Sequence, residues 1–109
     1  MNITTPNTKK NRKPEAKEEF WNLRIYIAGD TPKMQEAIQN LKKVCEEYLP
    51  GRCSIEVIDL LKNPKLAAGE QILAIPTVIR KLPEPVKRLI GDLTITEKVV
   101  IGLDIKNTK

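Results

Sequence analysis

The chain changes its hydrophobic period several times, and those changes mark its elements. Over residues 20–28 (FWNLRIYIA), Leu23, Ile25 and Ile27 share one face of a two-residue alternation, with Arg24 and Tyr26 on the other. This predicts a strand. Over residues 33–49, Met34, Ala37, Ile38, Leu41, Val44, Cys45 and Tyr48 recur at the helical period, and charged or amide residues fill the gaps. One apolar stripe on a long helix follows. Thr31 fits its N-cap, Pro32 its first position, where a missing N–H costs nothing, and Pro50-Gly51 its stop. Residues 53–61 (CSIEVIDLL) predict a second strand, apolar on both faces as in a sheet covered on both sides. Strand, helix and strand make a βαβ unit with parallel strands.

The second half is ordered by proline. Asn63 and Pro64 start a short helix running through Leu66, Ala67, Ala68 and Glu70 towards Ile72. Ile75-Pro76-Thr77 then opens a hairpin of two β-prone runs, 77–82 and 86–93, joined by Pro83-Glu84-Pro85. Proline lacks an N–H and fixes φ, so these residues belong at strand starts and turns rather than in strand interiors. Thr94 or Thr96 caps a last helix. Thr94-Ile95-Thr96-Glu97 fits a capping box, and Ile95, Val99, Val100 and Leu103 form an apolar stripe.

The order is βαβαββα, a thioredoxin-like α/β arrangement in which a parallel half joins an antiparallel hairpin and helices lie on both faces. In that arrangement a cis-proline opens the hairpin, which points to Pro76. The predicted domain covers residues 20–105. Residues 1–19, with five basic and three acidic side chains and almost no apolar content, form a polar leader expected to be disordered. Residues 106–109 are a polar tail.

Composition narrows the function. The net charge of +5 is spread rather than clustered, and aromatic residues make up 4% of the chain, which argues against a nucleic-acid surface. No apolar run approaches a membrane span, no secretory signal is evident, and a cytoplasmic location is expected. Histidine is absent, so the commonest general base and metal ligand is missing. No metal or cofactor is expected. A thioredoxin-type enzyme needs a thiolate at the start of the first helix, where this chain reads Ala28-Gly29-Asp30-Thr31-Pro32. The two cysteines, Cys45 and Cys53, have seven residues between them and do not form a C-x-x-C motif. They read either as small buried hydrophobes or as a regulatory disulfide. The turn is non-redox, and no catalytic residues are assigned.

Four ordered blocks, LRIYIAGDTP (23–32), IEVIDLLKNPKLA (55–67), ILAIPTVIRKLPEPVKRLIGDL (72–93) and EKVVIGLDI (97–105), resemble the KaiB family of circadian clock proteins. The resemblance implies a non-enzymatic regulator that binds the ATPase and kinase KaiC, sequesters KaiA and competes with a clock sensor histidine kinase. It also implies self-association and two folds, a tetrameric resting form and a thioredoxin-like form that engages KaiC, related by rearrangement of the second half. Lys62, Arg80 and Arg88 match basic positions associated with KaiC contact. Gln71 stands where clock members carry a contacting lysine, Glu36 replaces a basic residue, and Glu84 interrupts a run of prolines. Gly102 and Asp104 match positions tied to the resting fold, and Trp21 replaces a tyrosine. With Pro76, Pro83 and Pro85 these make the expected fold-switch set. The competing reading is a thioredoxin-like adaptor in stress signalling that acts without KaiC.

Overall fold

The computed structural model describes residues 19–105. The expectations for the polar tail, and for all but the last residue of the leader, lie outside the described residues. Within them the order is β1 (Trp21–Ile27), α1 (Pro32–Tyr48), β2 (Cys53–Asp59), α2 (Lys65–Glu70), β3 (Thr77–Leu82), β4 (Lys87–Ile90) and α3 (Thr96–Gly102). The sheet order is β2-β1-β3-β4. β1 runs parallel to β2, with Trp21 opposite Cys53 and Ile27 opposite Asp59. β3 is antiparallel to both β1 and β4. The fold is thioredoxin-like, as the sequence pattern predicts.

The helical stripe does what its period requires. Met34, Ala37, Ile38, Leu41, Val44 and Cys45 are buried on α1. They pack with Trp21, Leu23, Ile25 and Ile27 of β1, Val78 of β3, and Leu93, Val99, Leu103 and Ile105 around α3. Full burial of each such Leu, Ile or Val side chain contributes roughly 1.5–3 kcal/mol, so this single layer dominates the fold. α1 and α3 therefore cover one face of the sheet. Thr31 caps α1 through its Oγ1, which accepts from the Met34 N–H at 3.2 Å. The opposite face carries Arg24 and Tyr26, and α2 sits over it, tied by Glu70 to Arg24 and Lys81.

Four local expectations are corrected. β2 is not a strand covered on both sides but, among the described residues, the edge strand of the sheet, with Ser54, Glu56 and Val57 exposed. The capping box at Thr94 does not form. α3 begins after Ile95 with no side-chain cap, and Thr94 instead gives its N–H to Asp92 Oδ1 at 2.9 Å. Asn63 does not cap α2. It stands one residue before Pro64, the actual N-cap, and its side chain turns back to the Asp59 carbonyl. Ile95 is 39% exposed and lies outside the stripe that Val99 and Leu103 bury.

Candidate partner-binding face

α2 is short and buries no residue of its own. Six residues at 1.5 Å each give it a length of about 9 Å, so Lys62 and Gln71 flank its two ends. Lys62 is exposed in the turn after β2, where its N–H donates to the Asp59 carbonyl at 3.0 Å. Asp59 also fixes this turn through its side chain, which accepts from the N–H groups of Gly29 and Leu61 at 3.0 and 2.9 Å. Those two bonds hold its carboxyl below the usual range. Gln71 closes the helix in the left-handed region, at φ 56° and ψ 48°.

Arg88 reaches α2 from β4. Its guanidinium donates to the Glu70 carbonyl at 2.6 Å, next to Gln71. The Glu70 carboxylate accepts from Lys81 at 2.8 Å and lies 3.6 Å from Arg24, which also pairs with Glu56 at 2.9 Å. The Lys81 hydrogen bond is the main cause of a lowered Glu70 pKa, and the charges of Lys81, Arg24 and Arg88 add to it. This network anchors the C-terminal end of α2 to β1, β3 and β4. Leu66 on α2, and Leu61 and Leu73 in the segments before and after it, are exposed apolar side chains, Leu73 with 90% of its surface open. The arrangement is a partly apolar, mostly basic platform suited to a protein partner. The sequence does not mark the apolar members as exposed; in it Ile72-Leu73-Ala74 reads simply as the lead into the hairpin.

The other expected residues fall elsewhere. Arg80 does not belong to this face. It is 3% exposed, donates to the carbonyls of Leu103 and Pro85 at 2.8 Å each, and lies 4.9 Å from the centre of the Trp21 ring. β3 turns it towards the α3 side of the sheet, in register with buried Leu23. Its charge is used inside the molecule. Glu36 is exposed on α1, across the sheet from α2, so the two charge departures at Glu36 and Gln71 do not share a surface. Trp21 is a core aromatic. Gly102 ends α3 where a Cβ would stand 2.6 Å from Leu89 Cδ1, so any larger residue there requires the Leu89 side chain to shift. Asp104 follows in the left-handed region at φ 57°. The Ile75-Pro76, Leu82-Pro83 and Glu84-Pro85 bonds are all cis.

Among the described residues no three His, Cys, Asp or Glu side chains group as metal ligands, and no helix is long and apolar enough to cross a membrane. The turn before α1, where a thioredoxin carries its reactive thiol, reads Ala28-Gly29-Asp30-Thr31-Pro32 and places the Thr31 cap there.

Solved structures support the fold. The N-terminal domain of Synechococcus elongatus SasA matches with a TM-score of 0.63 at 21% identity, over 89% of this chain and 95% of that domain. Mitochondrial thioredoxin 3 from Saccharomyces cerevisiae matches with a TM-score of 0.62 at 15% identity, over 79% and 78%. Sequence relatives carry more. The circadian clock oscillator protein KaiB of Microcystis aeruginosa is 49% identical over 83 residues, which is 76% of this chain and 80% of that protein. The circadian clock protein KaiB3 of Synechocystis is 46% identical over 83 residues, 76% of this chain and 81% of that relative. The model of the KaiB domain matches residues 24–105. On its fold, its sequence and the span of that match, the chain belongs to the KaiB family of circadian clock proteins.

Proposed function

We propose that this chain is a non-enzymatic regulator that binds a KaiC-type ATPase through the α2 platform and so modulates the ATPase's phosphorylation state or signalling. The observation that supports the reading is that α2 of a KaiB-family domain buries nothing, with exposed Lys62 before it, exposed Gln71 closing it, Arg88 bonded to its last carbonyl, and exposed Leu61, Leu66 and Leu73 in α2 or the segments flanking it. Two exposed cations set the sign of the partner surface as acidic, and the leucines supply desolvation energy on contact. Gln71 removes one positive charge from this face without removing the face. A KaiA-type protein or a sensor histidine kinase competing for the same ATPase belongs to the same reading, as does a resting self-associated form in which residues 72–105 are rearranged.

The test is size exclusion with light scattering on the chain alone and after mixing with KaiC and ATP. A complex that grows over hours is expected. Lys62→Glu with Arg88→Glu should weaken it by about 2 kcal/mol, or roughly thirtyfold, since each reversal replaces an attraction by a repulsion. An unchanged affinity would remove α2 from the interface. No complex at any time would favour the adaptor that acts without KaiC.

A further inference from the structure

Cys45 and Cys53 stand outside the α2 platform. Cys45 lies in the last turn of α1 and Cys53 opens β2, and the fold brings their sulfur atoms into contact at 2.8 Å. Both are free thiols. Their side chains already converge, so the sulfurs have less than about 1 Å to close to reach the S–S bond length of about 2.05 Å. An open cleft of about 230 Å³, lined by Cys45, Glu46, Leu49, Pro50, Gly51 and Cys53, reaches the pair from solvent. The two thiols are unlike. Cys45 is 6% exposed, whereas Cys53 is half-buried at the cleft.

We propose that Cys45 and Cys53 are an oxidisable dithiol site that a small-molecule disulfide of the glutathione class closes to an intramolecular disulfide. Cys53 is the attacking group. The Cys45 S–H can donate to its thiolate, and the Arg52 charge adds to the lowering of its pKa, while the same contact and burial push the Cys45 thiol up. The Cys53 thiolate attacks one sulfur of the small disulfide, forming a mixed disulfide and expelling one thiolate. Cys45 then loses its proton and attacks the Cys53 sulfur, and the second small thiolate leaves. Two protein thiols are oxidised by two electrons. One small disulfide is reduced to two thiols, which take up the two protons.

The site does not depend on KaiC binding. Cys53 and Lys62 lie towards opposite ends of β2, which spans about 20 Å, and no step uses the α2 face. Oxidation is therefore expected to leave KaiC affinity unchanged.

The experiment takes the full chain, fully reduced, into buffers of reduced and oxidised glutathione, followed by acid quench, intact mass and alkylation under denaturing conditions. The expected product has lost both thiol hydrogens, carries no glutathione and accepts no alkylating agent. Trp21, the single tryptophan and the register partner of Cys53, should lose fluorescence in step with that mass change. Cys45→Ser should stop as the mixed disulfide on Cys53. Cys53→Ser should react about tenfold more slowly, because buried Cys45 then meets the oxidant alone. A wild-type product that keeps glutathione, links two chains or leaves both thiols alkylatable under excess oxidant overturns the proposal. That wild-type result decides the matter even if a serine variant fails to fold.

Discussion

Arg80 offers the sharpest test of how the second half of the chain is held. Its guanidinium joins three elements at once, with bonds to Leu103 at the end of α3 and Pro85 in the hairpin turn, and its face on Trp21 of β1. In Arg80→Ala the two carbonyls lose their donor. Pro85 is exposed and its carbonyl finds water, so that loss is about 1 kcal/mol. Leu103 is fully buried and its carbonyl stays unpaired, at about 2–3 kcal/mol. Loss of the stacking on Trp21 and of the aliphatic stem adds about 1–2 kcal/mol. Against these stands the relief of a buried charge whose Nε has no partner among the described residues, worth about 2 kcal/mol. The balance is a destabilisation of about 3 kcal/mol. With a urea slope near 1 kcal/mol per molar for a domain of this size, the midpoint should fall by about 3 M. Arg80→Met keeps the stem packing and should cost about half as much. Far-UV circular dichroism is the right signal, because Trp21 fluorescence responds to the substitution itself. A midpoint shift below about 0.5 M for Arg80→Ala would refute the accounting and mean that the buried charge costs as much as its bonds return.

Two further outcomes follow from local geometry. Asp104→Gly should raise stability by about 0.5–1 kcal/mol in urea unfolding, because glycine meets the left-handed backbone at φ 57° without a Cβ. A loss instead would show that the aspartate side chain holds that turn. Glu70 has a pKa depressed in the fold, chiefly by the Lys81 hydrogen bond, so it binds protons more weakly there than in the unfolded chain. Its contribution is complete above the ordinary carboxylate value of about 4.3 and is lost as pH falls through the lower folded value. Glu70→Gln should therefore narrow the gap to wild type between neutral pH and pH 3. A constant gap across that range in pH-dependent unfolding would mean that the Lys81 and Arg24 contacts carry no charge-dependent stability.

The apolar skeleton was legible because period alone determines it. The α1 stripe, the alternation of β1 and the proline punctuation of the hairpin each depend on residues near one another in sequence, and each stands where the pattern put it. The burial of Arg80 is not legible in the sequence because its neighbours are distant. Nothing in TVIRKL distinguishes an arginine that reaches water from one that bonds to Leu103 on the covered face of the sheet, a difference set by the tertiary placement of α3. β2 was misread for a similar reason. Val57, Ile58, Leu60 and Leu61 look like a buried strand, but burial depends on where the strand falls in the sheet, which local sequence does not encode. The cysteine pair was legible only as two alternatives, because seven intervening residues do not fix whether the end of a helix and the start of a strand meet. At the α2 platform, Lys62, Gln71 and Arg88 came from family resemblance, whereas Leu61, Leu66 and Leu73 became visible only once α2 was seen to bury nothing.

The two edges of the sheet are unequal. β4 is four residues long, with Pro85 two residues before it and Gly91 directly after it, and carries Lys87 and Arg88. A strand so short, stopped at both ends and charged, makes a poor template for another chain. β2 is seven residues long, contains no proline, and has no strand paired to its outer edge among the described residues. A sheet with one receptive edge and one blunt edge can add a single extended neighbour and then has nowhere to continue. Two copies meeting β2 to β2 would use up both receptive edges in a closed, two-fold arrangement. A fibre needs a second edge to grow from, and β4 withholds it.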